Sequence, residues 1–430
     1  MRTRRNFLTQ LIGVSGAFGV GEALAGFQEA QADDHDMNFV FNVKDSEFGA
    51  KGDGLTEDTA AIQSAIDRAS EVAGIVYLDP GIYPCTTLNM KTGVLVTGPG
   101  TLKLKAEANV RLMNFAAGVT GARLVGVTLD GNSGSNDGRE DLVSVNGAVR
   151  SAIIGCTLVD AQRDGIGIGS ANENFLIQHC TILAPREDGI TLREGENIRV
   201  LQCQIEDAGS GGNGDGIIVQ CTHVVVSQCT VLRAKNGGIV VNTEGDTIAA
   251  GITISQNVVA HTGMTGIHCT RSAAAHTRPS DITISGNVVR HAGDEGMRIV
   301  SCGEVSILGN TVAASGDRGV EISSSEAVTI SNNVVHSSQA HGIDVFQTSD
   351  VTVVGNVVKN AGSGADSRYS GVYVHGSDSA CENVTVASNA IVSRSRNRPR
   401  SGIRIDRRTV NSAVSANVVS GFTVTAQEER

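Results

Sequence analysis

The sequence predicts an all-β chain folded as a right-handed parallel β-helix with three parallel sheets. A repeated glycine unit, short strands of period two and an unusual composition point to this fold class. Glycine contributes 52 of 430 residues, tryptophan is absent, and tyrosine and phenylalanine contribute four and ten. Such a chain cannot build a core from large aromatic side chains, so it must bury many small residues, as stacked repeats do.

The strongest repeat is a unit of glycine, apolar residue, variable residue and apolar residue. Successive glycines are separated by 22 to 31 residues, and the shortest spacings leave room for little more than strands and turns. We expect one unit in each coil. The leading glycines are Gly165, Gly189, Gly216, Gly238, Gly266, Gly296, Gly319, Gly342, Gly371 and Gly402.

Two further units complete each repeat. One is a short alternating strand such as Ile252-Thr253-Ile254, and the other begins with cysteine or asparagine. Three strands of period two per repeat predict about ten to twelve coils that rise about 4.8 Å each. The cysteine and asparagine positions predict a buried column, with disulfides between coils as an alternative. The column is Cys156, Cys180, Cys203, Cys229, Asn257, Asn287, Asn310, Asn333, Asn356, Asn389 and Asn417.

The start of the repeat region predicts an N-terminal capping helix. Ile62, Ala65, Ile66 and Ala69 recur at helical spacing, and Thr56 is a candidate N-cap. A helix here would cover the open end of the coil, where unpaired strand edges invite aggregation. The predicted organisation is a signal peptide at 1–32, the cap and first coils at 33–100, repeats at 101–425 and a tail at 426–430.

The first residues resemble a twin-arginine export signal. Thr3-Arg4-Arg5-Asn6-Phe7-Leu8 precedes a weakly apolar stretch, and Ala30-Gln31-Ala32 fits a small-residue cleavage site. The resemblance implies a periplasmic or secreted protein without a membrane span in its mature form. The formal net charge of −11 disfavours nucleic acid as a partner.

A specific resemblance lies just before the predicted helix. The motif is Gly49-Ala50-Lys51-Gly52-Asp53-Gly54-Leu55-Thr56-Glu57-Asp58-Thr59, followed by Ala61-Ile62-Gln63. Together with the later coils, it resembles the pectate-lyase-like superfamily of parallel β-helix proteins. The resemblance implies the fold and a polysaccharide substrate class, but no single reaction, because that fold carries lyases, epimerases, hydrolases and phage tailspikes. No narrower catalytic motif of the superfamily is complete, so no catalytic residue is transferred.

The variable position of the glycine unit predicts the candidate site. The apolar residues point inward, so this position points outward and forms a column along one sheet. The first four members of the column cannot ionise, and the six that follow carry titratable side chains. Its members are Gly167, Thr191, Ile218, Val240, His268, Arg298, Glu321, Asp344, Tyr373 and Arg404, flanked by Glu295, Arg318, His341, His375 and Asp406.

We therefore expect catalytic residues among Glu321, Asp344, His341 and Tyr373. The substrate-binding candidates are His268, Arg298, Arg318 and Arg404.

Two chemistries fit these residues. In glycosidic cleavage or transfer, Glu321 and Asp344 are the carboxylate pair. In β-elimination or epimerisation, an arginine neutralises a uronate carboxylate, and His341 or Tyr373 moves the proton. A solvated wall of weak ion pairs would have the same composition, so the residue types alone leave the choice open.

A second column precedes the repeat glycines. Asp164, Asp188 and Asp215 lie in adjacent predicted coils. A calcium site or a catalytic acid group would use such carboxylates, whereas Asp-Gly is also ordinary turn chemistry. We favour the turn.

The sequence as a whole favours an exported carbohydrate-active enzyme: a polysaccharide lyase, epimerase, or glycoside hydrolase or transferase. The alternative is a non-catalytic β-helix that binds glycan or belongs to the cell envelope. No cofactor is expected, although calcium stays open. A polysaccharide is the expected partner, and self-assembly through a side wall is compatible with the repeat.

Overall fold

A computed structural model describes residues 39–363, 368–394 and 401–428. The chain coils through three parallel sheets, and nearly every strand pairs in parallel with the equivalent strand of the next coil. The parallel β-helix predicted from the sequence is confirmed. The twin-arginine motif and residues 1–32 lie outside the described residues.

The first sheet has sixteen strands within the described ranges. Its strands hold three residues in the N-terminal half and six or seven from Ala250–Ser255 to Cys381–Ala387. They are Val40–Asn42, Ile75–Tyr77, Leu95–Thr97, Arg123–Val125, Ala152–Ile154, Leu176–Gln178, Arg199–Leu201, Val225–Ser227, Ala250–Ser255, Ser280–Ser285, Gly303–Leu308, Glu326–Ser331, Ser349–Val354, Cys381–Ala387, Thr409–Val410 and Ala413–Ser415.

The second sheet has fourteen strands in the part of the chain that the structure describes. Most of them hold three residues, with the central one pointing into the core. They are Ile82–Cys85, Thr101–Leu104, Thr128–Asp130, Thr157–Val159, Thr181–Leu183, Gln204–Glu206, Thr230–Leu232, Val258–Ala260, Val288–Arg290, Thr311–Ala313, Val334–His336, Val357–Lys359, Ala390–Val392 and Val418–Ser420.

The third sheet contains the glycine units and also has fourteen strands among the described residues. The repeat glycine precedes the first inward apolar residue in most of these strands. The strands are Leu88–Asn89, Met113–Phe115, Val143–Val145, Ile166–Ile168, Ile190–Leu192, Ile217–Val219, Ile239–Thr243, Ile267–Arg271, Met297–Val300, Val320–Ser323, Ile343–Phe346, Ser370–His375, Ser401–Ile405 and Val424–Glu428.

The cysteine and asparagine column fills the turn between the first and second sheets. The residue before each member has a positive φ, such as 55° at Gln202, which makes the bend tight. Each Asn side chain accepts the backbone N–H of the column member in the coil before it; Asn310 donates its N–H to Asn333 Oδ1 at 2.8 Å. All nine cysteines are buried free thiols. They therefore act as small core residues, as the first interpretation predicted.

The predicted capping helix is present at Thr59–Ser70 and packs on the first strands. It buries Ile62, Ala65, Ile66 and Ala69, the four residues that the periodicity identified. The predicted cap at Thr56 is wrong. Asp58 is the N-cap, and its carboxylate accepts the N–H groups of Lys51 and Gly52 instead of capping the helix. Thr56 donates to Asp53, because the Gly-Asp-Gly turn holds it outside the helix.

The fold leaves the outward face of the third sheet as a flat, rigid support. Among the described residues no helix is long and apolar enough to cross a membrane.

Candidate functional site

The outward column of the third sheet has the register that the sequence predicted. His268 pairs with Arg298, Arg298 with Glu321, and Glu321 with Asp344. Tyr373 follows Asp344, and Arg404 follows Tyr373. Parallel pairing therefore brings all eight candidate residues to one face, because Arg318 and His341 lie just before the strands that carry Glu321 and Asp344.

Arg318 is the centre of this face. Its Nε donates to Asp344 Oδ2 at 2.6 Å, and its Nη1 donates to Asp317 Oδ2 at 2.7 Å. Nη1 also lies 3.5 Å from Glu295 Oε1 and 3.8 Å from Glu321 Oε2. One guanidinium thus contacts four carboxylates. Because its donors are directed at protein groups, the predicted role of Arg318 in holding a substrate carboxylate is not supported by this geometry.

Asp344 is enclosed on both sides. One oxygen accepts from Arg318, and the other lies 3.1 Å from His375 Nε2. Burial alone would raise the pKa of Asp344, but the hydrogen bond from His375 and the charges of His341, His375 and Arg318 lower it overall. Asp344 is 2% exposed. We conclude that its carboxylate is ionised and positions His375, and that it is too enclosed to attack a sugar directly.

The ring of His375 continues this chain of contacts toward solvent. It stacks on Tyr373 with centroids 4.0 Å apart, and Phe346 lies 4.8 Å away on the neighbouring coil. With Nε2 bonded to Asp344, the second ring nitrogen, Nδ1, is the one left for proton transfer. Arg404 lies over the Tyr373 ring at 4.7 Å, which places a positive charge beside the phenol.

The hydrogen bonds of His341 do not suit the role of a base that the sequence suggested. Its Nδ1 accepts the backbone N–H of Ser370 at 3.0 Å, so a neutral ring carries its hydrogen on Nε2. Burial lowers the pKa of His341 to about 4. Its ring lies 4.9 Å from Tyr373. At neutral pH His341 is therefore a hydrogen-bond donor rather than a proton acceptor.

The pKa of Glu321 is shifted in the opposite direction from that of its neighbour Asp344. Burial raises the pKa of Glu321 to about 7, in spite of the nearby Arg298 and Arg318 charges. Arg298 Nε lies 3.2 Å from Glu321 Oε2, without hydrogen-bond alignment. His268, one coil beyond Arg298, has its pKa lowered to about 4 by burial. Two adjacent carboxyl groups with opposite pKa shifts are the usual basis for an acid and a base role.

His375 was only a flanking residue in the sequence interpretation, yet the structure places it between Asp344 and the Tyr373 ring. Asp344 pairs with Tyr373 on the next coil, and His375 lies two residues after Tyr373. The His375 side chain must therefore extend back to the previous coil to contact Asp344. The spacing of Tyr373 and His375 at positions i and i+2 on one strand was the available signal, because such residues share a face.

A second cluster of charged side chains lies on the N-terminal coils, where the members of the outward column are uncharged. Asp141 Oδ1 accepts from Arg163 Nε at 2.8 Å. A Cβ at Gly167 would lie 1.9 Å from Asp141 Oδ2, so this carboxylate covers the glycine directly. Asp164 accepts from Thr191 and Arg193 at 3.0 and 3.1 Å. Asp141 was missed because Leu142 stands where later coils have the repeat glycine.

The Asp164, Asp188 and Asp215 column supports the turn interpretation. The Asp215 N–H donates to Asp188 at 2.8 Å, and the Gly237 N–H donates to Asp215. Each carboxylate thus binds the backbone of the next coil. Across the described ranges, no group of three or more His, Cys, Asp or Glu side chains is arranged to hold a metal ion.

This column makes stability depend on pH. Burial, with the Asp164 charge, raises the pKa of Asp188 to about 7. The folded state therefore keeps a proton that the unfolded chain loses near pH 4, and its stability falls as pH rises from about 4 to about 7. We expect Asp188→Asn to remove this loss. The melting temperature of the variant minus that of the wild type should therefore increase as the pH rises from about 4 to about 7. The exposed Asp137→Asn variant is the control, and a difference that is constant with pH would contradict the assignment.

The chain is similar to several curated proteins over part of its length. It is 27% identical to the pre-neck appendage protein of Bacillus phage phi29 over 248 residues, 49% of this chain and 28% of that protein. It is 35% identical to alginate lyase 7 of Azotobacter vinelandii over 119 residues, 24% of this chain and 14% of that protein. The chain thus spans under a third of the length of either relative.

A solved structure supports the fold. The pre-mature gene product 12 of bacteriophage phi29 superposes with a TM-score of 0.74 at 19% identity, covering 90% of this chain and 56% of that one. At this identity the similarity concerns the fold alone.

Two family profiles match. That of the periplasmic copper-binding protein NosD matches residues 174–361 and 226–425. The described residues do not fit a copper site: the thiols are buried in the core, and the stacked rings of His261 and His291 form a pair without a third ligand. The profile described as rhamnogalacturonase A/epimerase, pectate lyase-like, matches residues 40–261, just over half of the chain. The chain belongs to this pectate-lyase-like rhamnogalacturonase A/epimerase family.

Proposed function

We propose that this protein is an enzyme that removes a proton from a uronate unit of an acidic polysaccharide, by β-elimination or epimerisation. The observation that carries the proposal is the chain of contacts from Arg318 through Asp344 to His375, which ends in the stacked Tyr373 ring. A buried carboxylate that orients an imidazole beside a phenol is an arrangement suited to general acid and base catalysis.

The roles follow from the geometry. A base at His375 Nδ1 or the Tyr373 oxygen takes the proton next to the uronate carboxylate, and the charge passes to the carboxylate oxygens. The ring of His341 and the guanidinium of Arg404 both lie next to Tyr373, and we assign to them the role of stabilising that charge. In elimination the bond to the neighbouring glycosidic oxygen then breaks and that oxygen gains a proton; in epimerisation the carbon regains a proton on its other face.

Two comparisons support this choice. A curated relative is named an alginate lyase, and alginate is a polyuronate. The description of the matching family includes an epimerase. Both reactions begin with the same proton transfer, so one site serves either outcome.

Glycosidic cleavage is the second candidate, and Glu321 is the reason to keep it. A carboxyl group with a pKa of about 7 suits a general acid that protonates a leaving oxygen. Its partner would have to activate water, because Asp344 has both oxygens occupied. The geometry therefore supports this reaction less well than proton abstraction.

The test is a panel of acidic and neutral polysaccharides incubated with the purified protein in deuterated water, with and without calcium. Unsaturated-uronate absorbance reports elimination, deuterium at the uronate carbon reports epimerisation, and new reducing ends without absorbance report hydrolysis. We expect one of the first two signals, and Tyr373→Phe to reduce it by about 10²-fold or more. Hydrolysis would favour the Glu321 alternative. Silence across the panel, with the fold intact, would favour the non-catalytic glycan-binding or envelope role.

We further propose that the protein is exported by the twin-arginine route to the periplasm or beyond, on the basis of Arg4 and Arg5 in the sequence. We propose that it acts without a resident cofactor. The calcium arms of the panel test this second point directly, because a strict requirement for calcium would contradict it.

A further inference from the structure

We propose that a depression in the turns between the second and third sheets binds a hydroxyl-bearing sugar unit of the same polysaccharide, far from the reacting unit. The inference rests on the proposed function, because it assigns a chain-anchoring subsite to the same substrate. The depression measures about 440 Å³ and is lined by Gln162, Glu187, Asp188, Asn213 and Asn236 among others.

The lining is polar and nearly balanced in charge. Arg139 and Arg186 offset Asp137 and Glu187, and glycines leave the backbone close to the cavity. Arg139 and Glu187 make only a long contact of 3.5 Å. The Asp188 carboxylate accepts from the Asp215 N–H at 2.8 Å and from the Thr191 hydroxyl at 3.3 Å, so the acid column itself is not the binding group. A polar surface of nearly balanced charge suits the hydroxyl groups that every sugar unit carries.

One buried group in the depression lacks a partner. Gln162 is 4% exposed, and its Nε2 donates to Val110 O at 2.7 Å. Its Oε1 is buried without a hydrogen bond. Leaving a buried amide oxygen without a donor is unfavourable, and Gln162 lines the depression, so a donor bound there would satisfy it. A hydroxyl supplies a donor and also accepts bonds.

Two amide side chains complete the subsite. Neither Asn213 nor Asn236 forms a side-chain hydrogen bond with the described part of the chain. Asn213 lies on a glycine-rich turn that packs closely on the previous coil: a Cβ at Gly214 would lie 2.2 Å from Glu187 O. This close packing fixes Asn213 at the rim of the depression.

The distance between the depression and the reacting residues determines how long the substrate must be. Asp188 lies just before the third-sheet strand Ile190–Leu192, and the proposed reacting residues Tyr373 and His375 lie on Ser370–His375, seven strand steps further along. At about 4.8 Å per step they are about 34 Å apart. A single sugar cannot reach both places, so the subsite selects a polymer chain of several units that lies along the third sheet.

The test compares Asn213→Ala/Asn236→Ala with the exposed control Asn383→Ala/Asn411→Ala, on long mannuronan and on its trimer. We expect the KM for the long chain to rise about tenfold in the first variant, with kcat and the trimer kinetics unchanged. An unchanged KM for the long chain, or an equal rise for the trimer, would overturn the subsite.

Binding without turnover separates the two proposals. Long mannuronan is titrated calorimetrically into Tyr373→Phe protein with and without the two alanines. Binding that the alanines weaken supports the subsite even if the wild-type protein turns over no polysaccharide, in which case only the proposed function fails. Absence of binding, or binding that the alanines leave unchanged, overturns the subsite.

Discussion

Substitution of His375 by glutamine is expected to lower kcat on the polyuronate substrate by about 10²–10⁴-fold, the usual contribution of a general base. Glutamine keeps a donor for Asp344, so packing around the third sheet should survive. The physical reason for the loss is that an amide cannot take a proton from carbon. The measurement is initial rate by unsaturated-uronate absorbance or deuterium incorporation, together with the melting temperature.

The matched control is His291→Gln, because His291 is exposed and follows the second-sheet strand Val288–Arg290, away from the site. It should leave both rate and stability unchanged. A His375→Gln enzyme that keeps more than about a tenth of wild-type kcat would remove His375 from the mechanism and leave Tyr373 as the base.

Asp344→Asn distinguishes positioning from packing in the same experiment. Loss of the carboxylate should lower kcat even well below the melting temperature of the variant, since the amide no longer holds His375 in position. A variant that is merely less stable would keep its activity at those temperatures.

The sequence was sufficient to predict the register of the outward column because the glycine unit recurs in each coil. Once Gly319 and Gly342 are aligned, Glu321 and Asp344 must be neighbours, since parallel pairing leaves no other arrangement. The inward apolar residues and the capping helix followed from periodicity in the same way. These features depend on backbone pattern alone.

The charge states and partners could not be predicted in this way. Four acidic side chains lie within 4 Å of Arg318, and only their conformations decide which of them are paired. The tautomer of His341 depends on the N–H of Ser370, which lies 29 residues later in the sequence. Asp141 was not identified because Leu142 replaces the repeat glycine that marks its column. The partners of Arg318 and the tautomer of His341 depend on side-chain contacts between coils, about which sequence spacing carries little information.

The asparagine column gives the largest expected effect on stability. Asn333 donates through Nδ2 to Ile307 O at 2.9 Å and to Asn356 Oδ1 at 3.0 Å. Its own Oδ1 accepts the N–H and the Nδ2–H of Asn310. Asn333→Ala would remove these donors and acceptors from Ile307 O and from the Asn310 N–H, whereas Asn356 Oδ1 keeps the backbone N–H of residue 333. At about 1–3 kcal/mol for each unsatisfied group, partly relieved by relaxation, we expect a loss of about 3–5 kcal/mol in the free energy of unfolding.

The loss should be visible as a lower guanidinium midpoint, and the exposed Asn383→Ala provides the matched control, since it removes only surface bonds to Asp350 and Asn411. In a solenoid each coil contacts only its neighbours, so the damage should concentrate around the coil of Asn333. Hydrogen exchange should therefore speed up first in Gly303–Leu308 and Ser349–Val354, while the strands near the capping helix keep their protection. Uniform loss of protection along the rod would contradict nearest-neighbour stacking, and an unchanged midpoint would show that water replaces the lost amide.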